Sequence, residues 1–311
     1  MNTFIVLQQM LVLFIIMIVG YLCFKMSWLD NNSYGKLSKI VVNIMNPMLI
    51  INGVINKETG NDYHKIWINL ALVIIYFALL IILSFLVVKI LRIEHSSESL
   101  YRLMLIFSNV GFIGIPVISS VYGETSVIYI AFYILGYNLL LYTYGIHLTD
   151  VSASAERKRE KENFWKKILN PGVFACLIAI IIFAFQVRVP EPVETLVSYM
   201  GEPAVPLSMI LIGASMAQQD LKKLFTDIKM YLFLAIRLLL IPIVAALVIK
   251  NFAIDAEIAG VFVLMLAMPI GSIVVLLAAD HGADETCCIK GSVLSTLFSV
   301  ITIPVVPLFL L

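Results

Sequence analysis

Two short segments of this chain place polar and helix-breaking residues inside long apolar flanks, and that is where chemistry is to be looked for. One reads LIFSNVGFIGIPVI and holds Ser108, Asn109, Gly111, Gly114 and Pro116. The other reads LMLAMPIGSIVVLL and holds Pro269, Ile270, Gly271 and Ser272. Proline deletes a backbone donor and clashes with the preceding turn, and glycine loosens a helix. Amides left unsatisfied in hydrocarbon are costly, so such breaks persist only where protein or a wet cavity covers them. A broken helix restarts with free N–H groups and a positive dipole end. Two such ends meeting would make a site for an anion such as a carboxylate. Asn109 has an amide that can donate to a carboxylate in a dry site, and its structural alternative is to patch backbone freed by the break. Gly111, Gly271 and Ser272 either let a ligand approach backbone amides or let helices pack closely.

Other residues are candidates by type and depth. Tyr137, Asn138, Ser295 and Thr296 offer neutral hydrogen bonds, either to a ligand or between helices. Glu202 and Arg237 are ionisable residues inside apolar stretches, which makes both candidates for ion coupling. Glu202 would serve a proton or cation, or sit solvated at the outer interface. Arg237 would meet a substrate anion, a protein carboxylate or an aqueous cavity. Pro47 and Pro206 mark further helix breaks. Asp280 and His281 read as a solvated helix end, with a pH-sensitive gate as the alternative.

These residues need elements to position them, and the composition says which kind. Apolar residues make up 61% of the 311 and charged residues 13%, against roughly 45–50% and about 25% in soluble domains. The chain needs lipid as part of its solvent. A net charge of +1 gives no polyelectrolyte character for binding nucleic acid. Cys23, Cys176, Cys287 and Cys288 fit neither a disulfide framework nor a zinc pattern, and vicinal Cys287 and Cys288 read as reduced thiols. No metal site is expected.

A span needs about 20 apolar residues, and the chain offers ten: 4–24, 36–55, 66–90, 101–121, 126–148, 168–187, 195–217, 229–250, 256–279 and 287–310. With the N-terminus outside, the cytoplasmic connections collect 16 basic residues, including Arg157, Lys158, Arg159, Lys161, Lys166 and Lys167, whereas the outer ones hold Lys57, Lys65, Arg188 and Lys250. That asymmetry follows the positive-inside rule and puts both termini outside and the polar stretch 150–167 in the cytoplasm. Residues 1–149 and 168–311 then form two five-helix halves. A shift of 159 residues lays Pro47 on Pro206 and Gly123 on Gly282. Because five is odd, the halves must insert with opposite topology, a signature of secondary carriers.

The segments SNVGFIGIPVISSVYG (108–123), NPMLI (46–50), PLSMILIGASM (206–216), AMPIGSIVVLLAADHGAD (267–284) and VLSTLFSVITIPVV (293–306) resemble the auxin efflux carrier family, which includes plant PIN-FORMED carriers and bacterial malate or malonate permeases. The resemblance implies an all-α polytopic fold of ten transmembrane helices in two inverted repeats, with broken, crossing helices 4 and 9. It also implies a homodimer, a scaffold of helices 1, 2, 6 and 7, and a transport domain of helices 3–5 and 8–10 that moves in an elevator-like step. Asn109 matches the crossover asparagine and Pro269 the crossover proline. The chain departs from plant members in Ser108, in Ile270 after Pro269, and in lacking their acidic residue in the third span and, as against many of them, a long central loop. That fits a compact prokaryotic-type carrier.

No HExxH, paired membrane aspartates or Asp-rich diphosphate motif is present, so an enzyme is not expected, and nothing resembles a channel filter. The expectation is a plasma (inner) membrane secondary transporter of a small organic anion, with a dicarboxylate such as malate or malonate leading. An auxin-like or other monocarboxylate, or a non-transporting sensor of the same fold, is the alternative. No cofactor is expected, and the coupling ion would be H+ or Na+.

Overall fold

The computed structural model describes residues 3–55, 63–152, 171–218, 227–280, 283 and 285–310; the expected 150–167 linker lies almost wholly outside them, as does His281. The described residues form helices and no strand. In chain order these are α1 (Thr3–Lys25), α2 (Asn31–Ile40), α3 (Asn46–Asn52), α4 (Tyr63–Ile90), α5 (Glu98–Ile106), α6 (Ile115–Tyr122), α7 (Val127–Leu140), α8 (Ile146–Ser152), α9 (Pro171–Phe185), α10 (Glu191–Gly201), α11 (Ala204–Ala217), α12 (Ile228–Ala235), α13 (Ile241–Ile249), α14 (Ala256–Ala267), α15 (Ser272–Asp280) and α16 (Glu285–Val305). Among the described residues, five helical stretches are long and apolar enough to cross a membrane: His64–Ile90, Glu124–Asp150, Glu191–Ala217, Ile228–Ile249 and Thr286–Phe309. Shorter apolar helices occupy Leu11–Lys25, Val110–Tyr122, Pro171–Phe185 and Ala256–Ala267.

The expected span at 36–55 begins earlier, at Asn31, because Asp30 accepts the Ser33 N–H at 2.7 Å and caps the helix there. The prolines act differently from one another. Pro47, Pro116 and Pro242 each occupy the second residue of an α-helix that follows a five-residue π-helical turn, at Val41–Met45, Val110–Gly114 and Ile236–Leu240. A π turn carries one extra residue, which moves the carbonyl that the proline ring would otherwise strike. Pro47 and Pro116 therefore loosen continuous helices and do not interrupt them. Pro206 is the third residue of α11, and the turn precedes it, at Glu202 and Pro203.

Close packing fixes the layout. α1 runs along α11, and a Cβ at Gly20 or Gly213 would fall on the backbone carbonyl of Ile210 or Met17. Helices in lipid associate through such small-residue contacts, because lipid is as apolar as leucine. α3 packs against α9 and α10. α4 packs against α5, α7 and α14, and α15 against α16. Lys65 and Asp255, 2.8 Å apart, tie the start of α4 to the start of α14. Replacing Gly213 with Leu is expected to reduce folded protein in the membrane at least about tenfold, because backbone cannot yield to the side chain. Size-exclusion profiles of a fluorescent fusion would show it, and a wild-type monodisperse peak would refute the α1–α11 contact.

Candidate functional site

The two segments singled out by residue type are both broken, and they cross. α5 ends at Ile106, Phe107 is extended (φ −99°, ψ 97°), and Asn109 (φ −81°, ψ 69°) starts the helix that runs on through α6. α14 ends at Ala267 and Met268 is extended (φ −62°, ψ 141°). A residue that precedes proline is pushed out of the helical region, so Pro269 accounts for this second break. Between the breaks, Ser108 and Ile270 form an antiparallel bridge. Asn109 donates its N–H to Pro269 O at 2.7 Å, and Gly271 donates to Phe107 O at 3.0 Å. Each break thus satisfies the backbone exposed by the other, as burial away from water requires. α16 covers Ile270 of this strand-like crossing, since Ser295 Oγ accepts the Ile270 N–H at 3.0 Å and Ser292 Oγ donates to Ile270 O at 3.4 Å.

Arg237, 1% exposed, is the largest fully buried side chain among the described residues. Its Nε donates to Met104 O (3.2 Å), its Nη1 to Leu266 O (3.3 Å) and its Nη2 to Ser108 Oγ (2.7 Å). It joins the last turns of α5 and α14, and no carboxylate among the described residues pairs with it. Ser108 Oγ lies 2.8 Å from Tyr76 Oη, which donates to Met265 O at 3.4 Å. Since Arg237 has only donors, the Ser108 hydroxyl accepts from Arg237 and shares a second hydrogen bond with Tyr76.

The helix starts have no such cover. Asn109 Oδ1 accepts the Phe112 N–H at 3.1 Å and caps the second half of the broken helix, which leaves the amide NH2 as its free donor group. Gly111, Ser272 and Ile273 make no backbone bond through their N–H groups, as first-turn residues do not. A Cβ on Gly111 would meet only Asn46 Nδ2, at 4.0 Å. Asn46 is 7% exposed and its Oδ1 has no hydrogen-bond partner. Gly271 is different: a Cβ there would lie 3.0 Å from Ser108 O and 3.2 Å from Tyr137 Oη.

The sequence candidates therefore divide. Ser108, Asn109, Gly111, Pro269, Ile270, Gly271, Ser272 and Tyr137 come together at the crossing, with Arg237 beneath it. Asn138 bonds Ile134 O on its own helix at 2.8 Å. Glu202 is exposed at the turn between α10 and α11, where Ser198 donates to its carboxylate. Asn46 is visible in the sequence only as part of NPMLI; its one signal there is an amide placed before proline in an apolar run. A partly open cleft lined by Met17, Ile113, Met209, Thr296 and Ser299 among others lies where α1 and α11 meet the second half of the broken helix and α16.

An all-helical chain with several apolar spans and two crossed, mutually bonded breaks is a polytopic membrane protein built around an interior polar site. The family described as membrane transport protein matches residues 5–307, and the chain belongs to that family, the auxin efflux carrier family. A protein described as an uncharacterized transporter, from Methanothermobacter thermautotrophicus (strain Delta H), is 22% identical over 298 residues, covering 96% of each chain.

Proposed function

We propose that this chain is a secondary carrier that moves a small organic anion across the plasma (inner) membrane by alternating access around the crossing. One observation carries this reading: two helices restart within two residues of a shared backbone bridge, with free first-turn N–H groups, an asparagine cap and an unpartnered Asn46 Oδ1 beside open space. Helix starts of this kind favour negative charge. A carboxylate held there would take the Asn109 NH2 and the Gly111 N–H, with Asn46 free to bond a second polar group. A dicarboxylate such as malate or malonate, which the resemblance to bacterial malate or malonate permeases suggests, is the leading substrate.

Ten spans in two inverted halves, 1–149 and 168–311, with both termini outside, are the arrangement we assign. Helices 1, 2, 6 and 7 (α1 to α3 and α9 to α11) would be the scaffold and the rest a transport domain; the α1–α11 packing and the cleft beside it support that division. The domain would shift in an elevator-like step, within a homodimer.

A second reading, a monocarboxylate or singly charged substrate, is favoured by charge. Two helix starts offer about one positive charge together, and Arg237 is already bonded to carbonyls and a hydroxyl. Uptake into proteoliposomes of labelled malate, malonate, succinate, a monocarboxylate and an indole acid, with and without proton, sodium and voltage gradients, decides between them. Saturable uptake of one member fixes the class. No uptake of any, by folded protein, would refute the carboxylate reading and favour a sensor.

A further inference from the structure

We infer that Arg237 is a resident cation of the crossing, doing at the ends of α5 and α14 what a bound metal ion would otherwise have to do. Two helices stop there within reach of one guanidinium, and their last-turn carbonyls at Met104 and Leu266 both accept from it. Each helix end carries about −0.5 of an elementary charge, so the two together match one cation. Partial charges in a dry interior must be compensated locally, and the described residues place no other cation on these carbonyls.

The geometry separates this role from anion binding. Three of the five N–H groups of Arg237, one each on Nε, Nη1 and Nη2, are given to protein acceptors. The acceptors belong to two chain segments, α5 with the Ser108 bridge that follows it and α14, so the guanidinium also clamps both breaks in register. A spherical ion could neutralise the same carbonyls but would be free to leave. The fixed side chain cannot leave, and it travels with the helices that it joins. For the carrier proposed above this has a consequence: no monovalent cation is needed at the crossing, and Na+ is not a co-substrate. That consequence rests on the carrier reading; the resident cation itself does not.

The test uses thermal unfolding of the purified full-length protein in detergent, in buffers whose only monovalent cation is choline, sodium or methylguanidinium at low millimolar concentration. Wild type is expected to unfold at the same temperature in choline and in sodium. Arg237→Ala is expected to lose about 10 °C in choline and to regain most of it in methylguanidinium. Arg237→Met, close in length but apolar, is expected to lose as much and regain nothing. A wild-type Tm that rises saturably with sodium overturns the inference. So does an Arg237→Met protein as stable as wild type, or an Arg237→Ala protein that no cation stabilises. Should Arg237→Ala yield no folded protein, Arg237→Lys against Arg237→Gln decides: folded Lys variant with little folded Gln variant supports the charge, and equal yields overturn it. Because this readout needs no substrate, its failure is distinct from failure of the uptake panel.

Discussion

Asn109→Asp is expected to fold as well as wild type and to transport on the order of 100-fold less. The cap explains the first half. Asn109 Oδ1 holds the Phe112 N–H at 3.1 Å, and an aspartate oxygen does the same at a helix start, with its charge favoured by the dipole. The second half follows from what aspartate lacks: it has no donor to offer a carboxylate, and it sets a negative charge where the anion would sit. Asn109→Ala removes cap and donor together, so folded protein is expected to fall along with uptake. Initial uptake rates, divided by the folded protein recovered from the same liposomes, separate the two. If the Asp variant carries substrate at the wild-type rate per folded molecule, the crossing is not the anion site.

The glycines of the crossing are expected to fail in opposite ways. Gly111 and Gly271 are both small residues near a break, and by type they are equivalent. Around Gly111 there is open space bounded by Asn46 Nδ2 at 4.0 Å; around Gly271 stand Ser108 O at 3.0 Å and Tyr137 Oη at 3.2 Å. Gly271→Val would force the two breaks apart and strain the 2.7 Å and 3.0 Å backbone bonds that join them, with a loss of about 1–3 kcal/mol from overpacking. Thermal unfolding should register that directly. Gly111→Val is expected to keep its stability, since a side chain in a helix costs less backbone entropy than glycine, yet to lose transport by filling the space for the ligand. Two variants with the same stability defect would mean that both glycines serve packing alone.

Much of this site is legible without coordinates. Hydropathy alone requires a membrane chain, since 61% apolar residues cannot be buried within it. The second break is likewise local: Met268 is extended because Pro269 follows it. The Ser108–Asn109 break is indicated by polar residues and glycines in an apolar run, and residues that satisfy their own backbone poorly in hydrocarbon act where they stand.

What the sequence could not assign is which residues these breaks would face. By type and depth Arg237 is open between a substrate anion, a carboxylate and water, and its acceptors lie 133 and 29 residues away in the chain. Glu202 is intramembrane by residue count, and its place at a turn beside Pro203, with Ser198 on its carboxylate, is read only from the structure. Asn46 reaches Gly111 only through the packing of α3, and Gly111 and Gly271 differ only in their neighbours. The physical reason is common to all four. A helix in a soluble protein announces its buried face by alternating with polar residues, but a helix bounded by lipid is apolar on every side. Local sequence therefore fixes where such a helix breaks, and tertiary packing alone decides which side chains turn toward the break.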